Sequence, residues 1–194
     1  MKQPLQLNKH RIQALLNGAS MLIMPIELPR GYSTTGNIYD NLLEIYPSDY
    51  PMYIYGLKLP LQIGQTYFVQ EEFIEEGDAI YYKLTHKTNE FGDSWEPASQ
   101  MQEHQSRIPS LIPLEIEGKR VHDISEEELL LIIGGKAKAL AIMAKFSYED
   151  WLGKQKINHK ENPCVFTIKV KTETRQLKMQ QCKDLYIRST NVST

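Results

Sequence analysis

Apolar positions along this chain change period several times, and each change marks an element. Residues 8–17, NKHRIQALLN, place Ile12, Leu15 and Leu16 at helical spacing, with Asn8 as the cap and Gly18 as the stop. The apolar run at 20–26 reads as a buried strand. Residues 65–72 form a strand entered through Gly64, 74–78 an acidic turn, and 79–85, AIYYKLT, an alternating strand. Residues 106–108 and 111–118 are strand segments that Pro109 and Pro113 push toward an edge or an irregular path. Ser125 caps a helix over 126–133, Glu128 completes its capping box, and Gly134-Gly135 ends it. A second helical stretch follows at 136–154, with Leu140, Met143, Ala144 and Trp151 on its core side. Residues 164–171, CVFTIKVK, alternate cleanly and supply a closing strand. A last strand at 184–188 is expected in the tail, before the chain frays.

Residues 29–60 break this regularity. They are rich in Gly, Pro, Tyr and Asp, and read as an irregular insertion with one short strand at 52–55. Scattered strands with two or three helices predict an α+β domain. Five or six short strands closing on themselves remove free edges and leave a mouth for a ligand.

Composition narrows the partners. A formal net charge of −2 gives no global attraction for nucleic acid, so phosphate binding has to come from one local face. The N-terminal stretch lacks the long apolar core of a signal peptide, and no apolar run reaches membrane-spanning length. Cys164 and Cys182 are the only cysteines, which suggests free thiols in a reducing, cytoplasmic setting. Neither has a histidine at tight ligand spacing, so no metal site and no cofactor is expected.

The segment 91–125, FGDSWEPASQMQEHQSRIPSLIPLEIEGKRVHDIS, carries a pattern of its own. Trp95, Pro97, Met101, Ser106, Arg107 and Ile108 precede an apolar strand, and Val121, Asp123, Ile124 and Ser125 follow it. This resembles the phage and prophage ASCH proteins, a branch of the PUA-like β-barrels. Two further stretches are similar: 61–73 through Gly64, Val69 and Glu71, and 146–170 through Trp151, Asn162, Pro163 and Val165. In the second, Cys164 and Phe166 stand where the family usually has tryptophans. The resemblance implies one ASCH-like domain over 1–171, with the insertion at about 29–60 and a helical lid at 125–153. Residues 172–194 are then a C-terminal extension.

It also implies a cleft for bases, nucleotides or structured RNA, in the cytoplasm of a bacterial host. The family's first helix is followed by Lys, Thr and Arg positions that line the cleft. In the branch that deacetylates N4-acetylcytidine, that Lys and Thr act with a later Glu. Here Ser20 and Met21 replace the Lys and Thr, and Met24 or Pro25 the Arg. Only Glu71 matches, so no catalytic set is expected. The ligand-binding candidates are Ser20, Glu71, Trp95 and Arg107. Glu71 is either a solvated member of an acidic run or a carboxylate that reads an exocyclic amine. Trp95 is either packing or a stacking platform, and Arg107 either a phosphate ligand or a tie between strands. The lysines at 136–145 and 154–160 are a solvated face or a phosphate-contacting one.

The expectation is a non-hydrolytic protein that binds nucleic acid or a nucleobase-containing ligand. One rival is an amidohydrolase-like enzyme with a rearranged site. Another is a phage protein that binds a host defence protein through its tyrosine-rich insertion.

Overall fold

The computed structural model describes residues 2–77, 79–86, 94–134, 152–153 and 157–175. The candidate Trp151, nearly all of the helical stretch at 136–154 and the strand at 184–188 lie outside them. The fold class is α+β. A five-stranded sheet contains β1 (Gln3–Gln6), β2 (Met21–Pro25), β6 (Tyr67–Gln70), β9 (Ser110–Arg120) and β10 (Cys164–Glu173). Its spatial order is β1-β6-β9-β10-β2, with only β1 and β6 running parallel. A three-stranded sheet joins β3 (Tyr32–Tyr39), β4 (Leu42–Pro47) and β5 (Tyr55–Lys58), and β7 (Phe73–Glu76) pairs with β8 (Ala79–Tyr82) as a hairpin.

Two helices start where the caps predict. The Asn8 side chain accepts from the Arg11 N–H and opens α1 (Lys9–Leu16). Ser125 and Glu128 exchange hydrogen bonds and open α2 (Glu126–Ile133). Strand alternation then sorts side chains to two cores. Leu22, Phe166 and Ile168 join Leu43 and Ile45 of the three-stranded sheet and Ile12 and Leu15 of α1. Met21, Ile23 and Val165 face the other way, against Ile124 and Ile132 around α2. The central sheet is therefore covered on both faces.

Five expectations need correction. No sheet closes on itself among the described residues, and β9 separates β6 from β10. The insertion is not irregular. Asp40 and Asn41 both take positive φ, which makes the tight two-residue turn that twisted hairpins favour, and so builds β3 and β4. Residues 74–78 supply a strand rather than a turn. Residues 106–108 are not a strand, because the Ser106 hydroxyl accepts from Ile108 N and bends the chain before Pro109. Pro113 does not force β9 to an edge either. It sits at the register shift opposite Lys169 and Val170, with its carbonyl turned to the Gly64 N–H.

The two larger sheets touch backbone to backbone where Gly36 meets Gly118. The turn before β5 exposes a run of large apolar side chains, Tyr50, Tyr53, Ile54 and a Met52 that is 83% exposed. Among the described residues no helix is long and apolar enough to cross a membrane.

Candidate ligand-binding cleft

Strand β6 ends at Gln70, and the next residue, Glu71, turns inward instead of into solvent. Its carboxylate is buried at 6% exposure and gripped by Arg107, itself 4% exposed. Arg107 Nε donates to Glu71 Oε1 at 2.8 Å, and Nη2 donates to Oε2. This two-pronged geometry is the strongest ion pairing a guanidinium offers. The Arg107 guanidinium also lies 4.4 Å over the Tyr82 ring, a cation–π contact that covers its other face.

The pair is held by a frame of main-chain bonds. Tyr82 donates its hydroxyl to Gln105 O at 2.6 Å. Ser106 Oγ donates to Val69 O at 2.6 Å, and Gln70 Nε2 donates to Met101 O at 3.0 Å. Gln105 Nε2 reaches Glu75 on β7. Burial, together with the charge of Glu71, pushes the Tyr82 hydroxyl up to about 12, against the opposing pull of Arg107 and Arg175. Met101, Ser106, Arg107 and Ile108 are thus buried residues that lock the 101–108 segment onto β6.

A cleft of about 600 Å³ opens beside this frame. One wall comes from the β1–α1 connection: Gln6, Leu7, Lys9 and Ile12. The other comes from Gln70, Glu71 and Glu72 after β6, with Lys83 and Leu84 after β8. Gln70 and Glu71 are each 6% exposed, so the inner wall is polar and largely buried. At the mouth Lys83 Nζ bonds Glu72 Oε1 at 2.8 Å, and both side chains stay half-exposed.

The other sequence candidates lie elsewhere. Ser20 precedes β2, donates its N–H to Leu131 O at 3.0 Å, and accepts from Val170 N at 2.9 Å. It is not among the described residues that line the cleft, and neither is Trp95. Trp95 is half-buried beside Glu96, whose N–H and carbonyl pair with Phe73. Met21 and Met24, at the positions where the resemblance implies Thr and Arg, pack into the two cores. Arg107 lines no part of the cleft and meets it only through Glu71. The lysines at 136–145 and 154–156 fall outside the described residues. Among those that are described, no group of three His, Cys, Asp or Glu side chains could hold a metal ion.

Sequence reasoning missed Lys9, Gln70, Tyr82 and Lys83. A signal existed for Tyr82, since the alternation in AIYYKLT puts it on the face opposite Lys83 and Tyr81. Compared with known proteins, the chain matches no protein-family model, no curated protein and no solved structure.

Proposed function

We propose that this chain is a PUA-like, ASCH-type protein that binds a nucleobase-containing ligand in the cleft beside Glu71 and does not hydrolyse it. The observation that carries this is the Glu71 carboxylate. It lines the cleft, yet each oxygen already accepts one N–H from Arg107. Such a carboxylate keeps lone pairs for a further donor, and the exocyclic amine of cytosine, adenine or guanine is one. Neutralising it would strand the buried Arg107 guanidinium, which disfavours a role as proton acceptor. Among the described residues, Ser20 and Met21, which stand where the resemblance implies the hydrolytic Lys and Thr, do not line the cleft with Glu71.

The resemblance supports the same reading. Of the residues that carry it, Met101, Ser106, Arg107, Ile108 and Glu71 are all buried, and Arg107 grips the Glu71 that lines the cleft. A pattern that sets the frame of a pocket does not depend on keeping the chemistry inside it.

The test is isothermal titration with cytidine, adenosine, guanosine and uridine, together with mass spectrometry of N4-acetylcytidine after incubation. We expect binding of the three amine-bearing nucleosides, weaker binding of uridine, and unchanged N4-acetylcytidine. Turnover abolished by Glu71→Gln would establish the rearranged-enzyme reading instead. Failure of all four nucleosides to bind would leave the protein-contact reading, which the exposed turn from Tyr50 to Tyr55 favours.

A further inference from the structure

Resting on that reading, we infer that the ligand is a single nucleotide, not a polymer, and that its phosphate seats at the cleft mouth between Lys9 and Lys83. Size gives the first reason. About 600 Å³ falls within the range of small-molecule sites and holds one base with its sugar and phosphate.

Charge gives the second. A protein that tracks a strand needs a continuous basic groove. Among the described residues, Lys9 and Lys83 are the lysines that line the cleft, and Glu71 and Glu72 line it with them. The surroundings are acidic: Glu75 and Glu76 on the β7–β8 hairpin and Glu96 beside it are all exposed. A chain leaving the cleft along that hairpin meets one carboxylate after another. A lone phosphate at the mouth meets the two cations.

The mouth itself is suited to an anion. Lys9 is the first residue of α1, whose first turn contains no acidic side chain. The positive end of the helix dipole therefore adds to the lysine charge instead of being cancelled. Arg11 in the same turn is directed away, with Nε donating to Ile23 O at 2.8 Å, so Lys9 is the cation that α1 offers to the cleft. Across the opening, Lys83 is held by Glu72 and half-exposed. A phosphate draws Lys83 from one anion to another without burying an unpaired charge. Deeper in, Gln70 and Glu71 remain for the base.

The experiment compares cytidine, adenosine and guanosine with their 5′-monophosphates, and with a ten-nucleotide single-stranded RNA, by calorimetry at low and moderate salt. The quantity read is the gain in affinity of each monophosphate over its nucleoside. One charge-assisted contact predicts a gain of about tenfold or more. Lys9→Ala and Lys83→Ala shrink that ratio toward one. Glu72→Gln enlarges it, because Lys83 loses its competing partner. The RNA binds no tighter than the best monophosphate. Equal affinity for nucleoside and monophosphate overturns the phosphate seat and leaves the base-binding function standing. RNA binding that is much tighter and steeply salt-dependent overturns the single-nucleotide assignment. Binding of none of these probes overturns both this inference and the function beneath it.

Discussion

Arg107 and Glu71 hold each other in place as a buried ion pair. Neither side chain is stable there alone. Removing one partner strands a buried charge, whereas removing both exchanges an ion pair for packing. Arg107→Met is therefore expected to lower unfolding free energy by roughly 3–5 kcal/mol in urea titrations. The double replacement Glu71→Leu with Arg107→Met should cost much less. If Arg107→Met alone is nearly neutral, the pair does not stabilise the fold. Tyr82 reports on the same place through pH. Its hydroxyl is raised to about 12, above the ordinary value of 10.0. The folded state therefore keeps a proton that the unfolded state loses first. That contribution is complete below pH 10 and fades as pH climbs toward 12. An ultraviolet titration should show a tyrosine that ionises well above the ordinary value of 10.0, and Tyr82→Phe should remove that step. The sequence made Glu71 and Arg107 visible one at a time. Their pairing spans thirty-six positions and has no periodic signature, so only the folded chain brings them together.

At the scale of elements, local chemistry was readable wherever it was self-contained. Asn8 and the Ser125–Glu128 box fix two helix starts with side chains three residues apart. Strand β10 announces itself by alternation. The β3–β4 hairpin did not, because its turn is Asp40-Asn41 and not the glycine-bearing pair that usually marks such hairpins. That hairpin lies over β9 through glycine. Gly36 has φ +86, and a Cβ placed on it runs into the Gly118 carbonyl. Gly31 has φ +81 with nothing within 4 Å of such an atom. Gly31→Ala thus samples only backbone strain, about 1–2 kcal/mol for a left-handed residue. Gly36→Ala adds a collision between two sheets. In thermal denaturation its midpoint should fall clearly below that of Gly31→Ala, and equal midpoints would show that the sheets can separate at no cost.

Across the whole molecule, composition gave the class, α+β, because caps and alternation sum without knowledge of neighbours. Sheet closure was a different matter. It depends on which strands lie side by side, and the order β1-β6-β9-β10-β2 leaves β1 and β2 as unpaired edges of this sheet among the described residues. The same order has a consequence in time. β1 lies against β6, and β2 lies against β10, with Ile23 opposite Thr167. The ribosome therefore releases two strands long before the partners that complete them exist. Contacts this distant in sequence form slowly and leave open edges while they wait. The wall of the cleft that carries Lys9 hangs between those two waiting strands. During synthesis this protein holds the stretch from β1 to β2 in reserve, and the pocket comes into being only as the sheet is assembled, not as each helix emerges.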